Sequence, residues 1–287
     1  MDEFTAEIKA RLLVSKVKPT TIPVSVDAYV NHVGAVLRYR TDLGQDEPGW
    51  SFEHGGKSFI CVNANDRAER QRFTICHELA HIVLGLRSHH EALQWWSYAK
   101  RPPEEIWCDV FAAELLLPIN LFKPVAEQHT VGFAAVDDLA ARFGASRTAT
   151  GSRLVTVIRT PCAFVLSEKG KIRYAARSGP LRDANAWIQP RIYLPKGSVS
   201  EKVRAGAECK GPEEIDADEW FSAWEQGGVL LEEARHLERW DQTLTLLWFE
   251  DDEIPPAMDG SLEEDGEDDL LKELDGILPW PSKKRRR

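Results

Sequence analysis

Two histidines four residues apart, with a glutamate directly after the first, constrain residues 77–81 more tightly than any other feature of the chain. His77-Glu78-Leu79-Ala80-His81 brings both imidazoles to one face only as an α-helix, where residues four apart lie one turn above the other. The flanking residues predict that helix. Asp66 and Glu69 have the spacing of a capping box and Gly85 is a terminator. Between them Phe73, Cys76, Ala80, Val83 and Leu84 keep roughly helical spacing. Imidazoles so placed can hold one metal ion, with Glu78 angled toward a water on that ion rather than toward the ion. Metal-assisted hydrolysis needs this arrangement. Zinc lowers the pKa of its bound water to about 7, and a neighbouring carboxylate takes the proton as the water attacks.

A catalytic zinc also needs a third protein ligand and one open position. At the metzincin spacing a third histidine would fall at residue 87 and a glycine at 84, but the chain has Arg87 and Leu84. The alternative is a carboxylate on a second helix, Glu104 to Leu117, opened by Pro102-Pro103 and closed by Pro118. Glu105 and Asp109 share one face of it, so that one can bind metal while the other orients a histidine from behind. Carboxylates at this spacing repel unless a cation sits nearby.

Apolar residues make up 43% and charged residues 29% of the 287, the balance of a globular protein with a sizeable core. No run approaches the roughly 18 apolar residues of a membrane span, and the acidic Met1-Asp2-Glu3-Phe4 lacks the layout of a signal peptide. A cytoplasmic protein is expected. The five cysteines (Cys61, Cys76, Cys108, Cys162, Cys209) are scattered without a CxxC pair, which argues against a disulfide framework or a cysteine zinc finger. The net charge of −10 is uneven: 13 acidic and 6 basic residues in 250–287 leave −7 there and only −3 on residues 1–249.

The pattern divides the chain into an N-terminal arm with a short helix (1–23), a main domain (24–157), an accessory domain (158–250) and a tail (251–287). In the main domain Val24–Val36 reads as helix, and Ala35–Arg40 and Lys57–Asn63 as strands separated by a polar loop. Residues 136–154 resemble a helix-turn-helix around Gly144. The accessory domain opens with a hairpin (162–166 and 171–176) and ends in a strand at 243–249. Its tryptophans Trp187, Trp220, Trp224, Trp240 and Trp248 read mainly as core. The tail is acidic with a basic pentad at its end, and is expected to be disordered.

The text Arg72-Phe73-Thr74-Ile75-Cys76-His77-Glu78-Leu79-Ala80-His81, followed by Phe111-Ala112-Ala113-Glu114-Leu115-Leu116-Leu117-Pro118, closely resembles the ImmA/IrrE family of bacterial and phage metallopeptidases. Its members read RFTIAHELGH and then ExxANxFAAELLMP, and the likeness covers roughly residues 24–155. The resemblance implies an α+β fold, a zincin-like HExxH core with a helical subdomain, followed here by a smaller mixed α/β domain. It implies His77, His81 and Glu105 as Zn2+ ligands and Glu78 as catalytic base. Asp109 falls where the family has Asn or Asp, behind the ligands, and Glu104 is the fallback ligand if the alignment slips by one. Cys76 and Cys108 stand where alanine is usual and read as small-residue packing, the alternative being a redox-sensitive site whose oxidation would disturb metal binding. His89, His90 and Tyr98 lie between the motif helices and are assigned no role.

The implied activity is a zinc-dependent endopeptidase making a limited cleavage of a helix-turn-helix repressor in a stress-response or mobile-element switch. An extended peptide could pair with Lys57–Asn63 as an edge strand. Direct DNA binding is not favoured, since Arg142, Arg147 and Arg153 are the only basic residues of the helix-turn-helix-like stretch. The rival reading is a non-catalytic, zinc-containing regulator that binds a repressor or DNA.

Overall fold

The computed structural model describes residues 2–44, 46–88, 102–250 and 254. It is mixed α+β, with a helical region carrying a small sheet and a larger antiparallel sheet behind it. The acidic and basic tail and His89, His90 and Tyr98 lie outside the described residues. Among the described residues no helix is long and apolar enough to cross a membrane.

Helix α1 (Glu3–Val17) starts where the Asp2 carboxylate accepts from the Thr5 amide at 2.8 Å, and α2 (Val26–Val33) ends at Gly34 in the left-handed region. Three strands follow: β1 (Val36–Arg40), β2 (Gly49–His54) and β3 (Lys57–Asn63). The loop expected between two strands contains one of them, β2, joined to β3 by Gly55-Gly56, both at positive φ (59° and 71°). That conformation suits a two-residue hairpin and is open mainly to glycine. The strand order is β1-β3-β2, with β1 parallel and β2 antiparallel to β3. Lys57–Asn63 is therefore the central strand and not an edge. Its burial becomes continuous over Ile60, Cys61, Val62 and Asn63. The edge beside the His77–His81 motif is β2.

Helix α3 (Ala68–Leu84) packs on β2, β3 and α4 (Pro103–Leu116), and α4 packs on α1. The Asp66 cap does not form. Arg67 is the N-cap residue, and Asp66 instead pairs with Arg70 one turn on, at 3.1 Å. Gly85 does terminate the helix, at φ 71°. Helices α5 (Ile119–Ala126), α6 (Phe133–Phe143) and α7 (Arg147–Val157) complete the helical region, with Ser146 capping α7 through the Ala149 amide at 3.2 Å.

Beyond residue 160 the chain forms β4 (Cys162–Glu168), β5 (Lys171–Arg177), α8 (Gly179–Asp183), α9 (Val199–Arg204), β6 (Glu213–Asp216), α10 (Ala217–Trp220), β7 (Val229–Leu237) and β8 (Gln242–Trp248). The antiparallel order is β5-β4-β8-β7-β6. Strands β4 and β8 are buried along their whole length because the sheet is covered on both faces. Phe164, Leu166, Leu244 and Leu246 join the core of the helical region. Ala163, Val165 and Leu247, on the opposite face, pack with Trp220, Phe221 and Phe249. Among the tryptophans Trp220 is core and Trp187 is half exposed, with the Arg177 guanidinium over its ring.

Helix α7 lies flat on this sheet. A Cβ at Gly151 would sit 2.5 Å from the ring carbons of fully buried Phe164. Gly151→Ala is therefore expected to destabilise the fold by about 1–3 kcal/mol, although alanine is the better helix former. A lower midpoint in urea unfolding checks this, and a midpoint at or above wild type would refute such close packing.

Candidate metal centre

The middle of α3 is buried continuously from Thr74 to His81, and α4 crosses over it. His77 and His81 project together toward α4, with their Nε2 atoms 3.3 Å apart. From α4, Glu105 reaches both rings: Oε2 lies 3.1 Å from His77 Nε2, and Oε1 lies 3.5 Å from His81 Nε2. Asp109, one turn further along α4, accepts from His77 Nδ1–H at 3.0 Å. The structure thus brings four of the residues singled out in the sequence into one cluster. Glu105, not Glu104, faces the imidazoles.

These contacts test whether the donors suit a metal. In its neutral form, with the Nδ1 proton donated to Asp109, His77 turns its Nε2 lone pair toward a second imidazole nitrogen and a carboxylate. Three electron-pair donors then converge on one point, which is repulsive unless a cation occupies it. Two donors at about 2.0–2.1 Å on a tetrahedral ion stand about 3.4 Å apart, and the nitrogen–nitrogen distance of 3.3 Å and the nitrogen–oxygen distances of 3.1 Å to Oε2 and 3.5 Å to Oε1 lie near that value. The electrostatics agree. Burial by itself pushes the His77 pKa down, but hydrogen bonds to Asp109 and Glu105 and the charges of Asp109 and Glu78 outweigh it and hold the pKa at about 10. The cluster is built for positive charge, and the residues fit a zinc ion.

Glu78 is buried and faces a different side of the cluster. Its Oε2 accepts from Ser51 Oγ at 2.8 Å and from Ser88 Oγ at 3.0 Å. Sequence reasoning missed both serines. Ser51 sits on β2, and Ser88 follows α3 across Gly85, ten residues from Glu78. Nothing local in either segment marks it as a partner of the motif. Cys108, a packing residue by its sequence, has its Sγ and one ring nitrogen each of His77 and His81 all within 4.8 Å of one another.

Residues 30–155 match the IrrE N-terminal-like domain of the peptidase M78 family. This segment, 126 of the 287 residues, is similar to the ImmA/IrrE family. The radiation response metalloprotease IrrE of Deinococcus deserti is 31% identical over 134 residues, 44% of this chain and 41% of that protein. The IrrE protein of Deinococcus radiodurans is 29% identical over 136 residues, 45% of this chain and 39% of its own length. The chain therefore spans about two fifths of the length of these IrrE relatives. The solved structure of a Mycobacterium tuberculosis transcriptional regulator is similar over 86% of this chain and 76% of that one, with a TM-score of 0.56 at 16% identity. At that identity the likeness is one of fold.

The helix-turn-helix-like pair at the end of the matched segment is α6 and α7. Its arginines are engaged within the chain: Arg142 pairs with Asp138 at 3.6 Å, Arg147 with Asp137, and Arg153 with Glu114 and the Leu117 carbonyl. Thr150, Gly151, Leu154 and Val155 of α7 are buried. One face of α7 therefore packs on the core.

Proposed function

We propose that the chain is a zinc-dependent endopeptidase of the cytoplasm, of zincin-like architecture, that makes one limited cleavage in a helix-turn-helix transcriptional repressor. The observation that carries the reading is the convergence of His77, His81 and Glu105 within 3.1–3.5 Å, with Glu78 on the adjacent helical position. His77, His81 and Glu105 hold the metal, and Asp109 fixes the tautomer and orientation of His77. When bound, zinc supplies Lewis-acid chemistry toward a water and a carbonyl oxygen.

Glu78 is the general base. Its Oε2 is occupied by the two serine hydroxyls, which leaves Oε1 to take the proton of the attacking water and return it to the departing amine. Ser51 and Ser88 hold that carboxylate still. Because Ser51 lies on β2, the same strand aligns the base and offers its outer edge to an extended peptide. Among the described residues no strand pairs with that edge. Main-chain hydrogen bonds would give affinity and alternate side chains selectivity. A repressor switch in a stress response or a mobile element accords with relatives named for the radiation response and with a fold shared with a transcriptional regulator.

The test presents the purified, zinc-loaded chain with helix-turn-helix repressors from its own genome, one at a time, and reads products by mass spectrometry. Cleavage of one of them at a single bond, stopped by a chelator and restored by zinc, is the expected result. Intact repressors throughout would remove this substrate class.

A further inference from the structure

Cys108 is the group at the metal centre that the peptidase reading leaves without a role. It follows Glu105 by three residues on α4, so both side chains leave the helix on the same face. It is fully buried, with its Sγ and one ring nitrogen each of His77 and His81 all within 4.8 Å of one another. A buried free cysteine ordinarily acts as a small hydrophobe. Cys76, next to His77, fits that description: it is equally buried, belongs to the same apolar core and does not join the imidazole cluster. Cys108 differs in its direction. Nitrogen at about 2.1 Å and sulfur at about 2.3 Å from one tetrahedral ion stand about 3.6 Å apart. With the sulfur within 4.8 Å of a ring nitrogen of each histidine, it stands no more than about 1.2 Å beyond ligand distance.

We propose that Cys108 is a fourth ligand of the metal held by His77, His81 and Glu105, so that the resting centre is a closed His, His, Glu, Cys site. The inference rests on the ligand set of the peptidase reading. Closed four-ligand zinc is structural, and catalytic zinc keeps one position for water. On ligation the Cys108 thiol would give up its proton, and its sulfur would hold the position otherwise left to water. Return of a water and a proton reverses the step and reopens the site. The thiolate thus makes the peptidase latent: it tightens metal binding, because sulfur is the softer donor, and it competes with the water that Glu78 must activate.

Cobalt(II), titrated into the purified metal-free full chain, is the probe. Thiolate ligation produces an intense near-ultraviolet sulfur-to-cobalt charge-transfer band, while nitrogen and oxygen ligation gives only the visible d–d bands. The band is expected in wild type and in Cys76→Ala. Cys108→Ala and Cys108→Ser are expected to lose it and keep the d–d bands. Zinc affinity, by chelator competition, falls about a hundredfold in Cys108→Ala, one ligand's share of a four-ligand site, and turnover of a cleaved substrate rises. Cobalt bound by wild type without the charge-transfer band overturns the proposal and leaves the peptidase reading standing, whether or not the variants fold. A band that persists in Cys108→Ala does the same. No cobalt bound by wild type overturns both.

Discussion

Glu78→Gln is expected to retain a full complement of zinc and to lose at least about a hundredfold in kcat/KM, the low end of what general base catalysis contributes. The substitution is nearly isosteric at a buried position, and the amide that replaces the carboxylate would still offer an oxygen to the hydroxyls of Ser51 and Ser88, which now lie 2.8 and 3.0 Å from Oε2. The fold and the cluster of His77, His81 and Glu105 therefore stay in place. What disappears is the capacity to take a proton, since an amide is not a base in this pH range. Metal content per chain and substrate turnover, measured on one preparation, separate the two effects. Zinc retained and turnover lost is the signature of the base. Turnover within about tenfold of wild type would exclude Glu78 from proton transfer. If inactivation of the repressor in cells survived the change, the chain would act by binding, and the non-catalytic reading would replace the peptidase.

The second large effect is on the metal itself. Wild type is expected to carry about one zinc per chain, and His77→Ala and Glu105→Ala to lose it, with affinity falling at least about a hundredfold in each. His77 is the more severe change. Its ring stands between the carboxylates of Asp109 (3.0 Å) and Glu105 (3.1 Å), so removal deletes a ligand and leaves two acids facing each other without a cation. A lower melting temperature should accompany the loss in His77→Ala more than in Glu105→Ala. Metal content by mass spectrometry and thermal unfolding check both statements. Metal lost in His77→Ala but kept in Glu105→Ala would move the third ligand to Cys108, which already lies beside both histidines. No metal in wild type after zinc is supplied would end the zinc reading.

What could be read from the sequence was the local part of the structure. The i, i+4 spacing of His77 and His81 settles that their side chains share a face, because it depends only on helical geometry. Glu105 and Asp109 are aligned on α4 for the same reason. The termination of α3 at Gly85, the hairpin of β4 and β5 and the strand at β8 were equally legible, since turn residues and short-range periodicity carry them. The Asp66 cap failed at the same level: its carboxylate had two local partners to choose from, and Arg70 took it.

The tertiary structure alone decided how these pieces meet. Strand pairing is non-local, so no pattern within Lys57–Asn63 could tell a central strand from an edge, nor show that β2 emerges from a polar loop to bring Ser51 to Glu78. The helix-turn-helix pattern of α6 and α7 also suits a DNA-reading unit, and only contact with Phe164 and the sheet shows that one face of α7 packs on the core. Cys108 carries the same lesson: composition reads it as a small core residue. The crossing of α4 over α3 turns its sulfur toward two imidazoles, because a helix face has no chemical meaning until another element is packed against it.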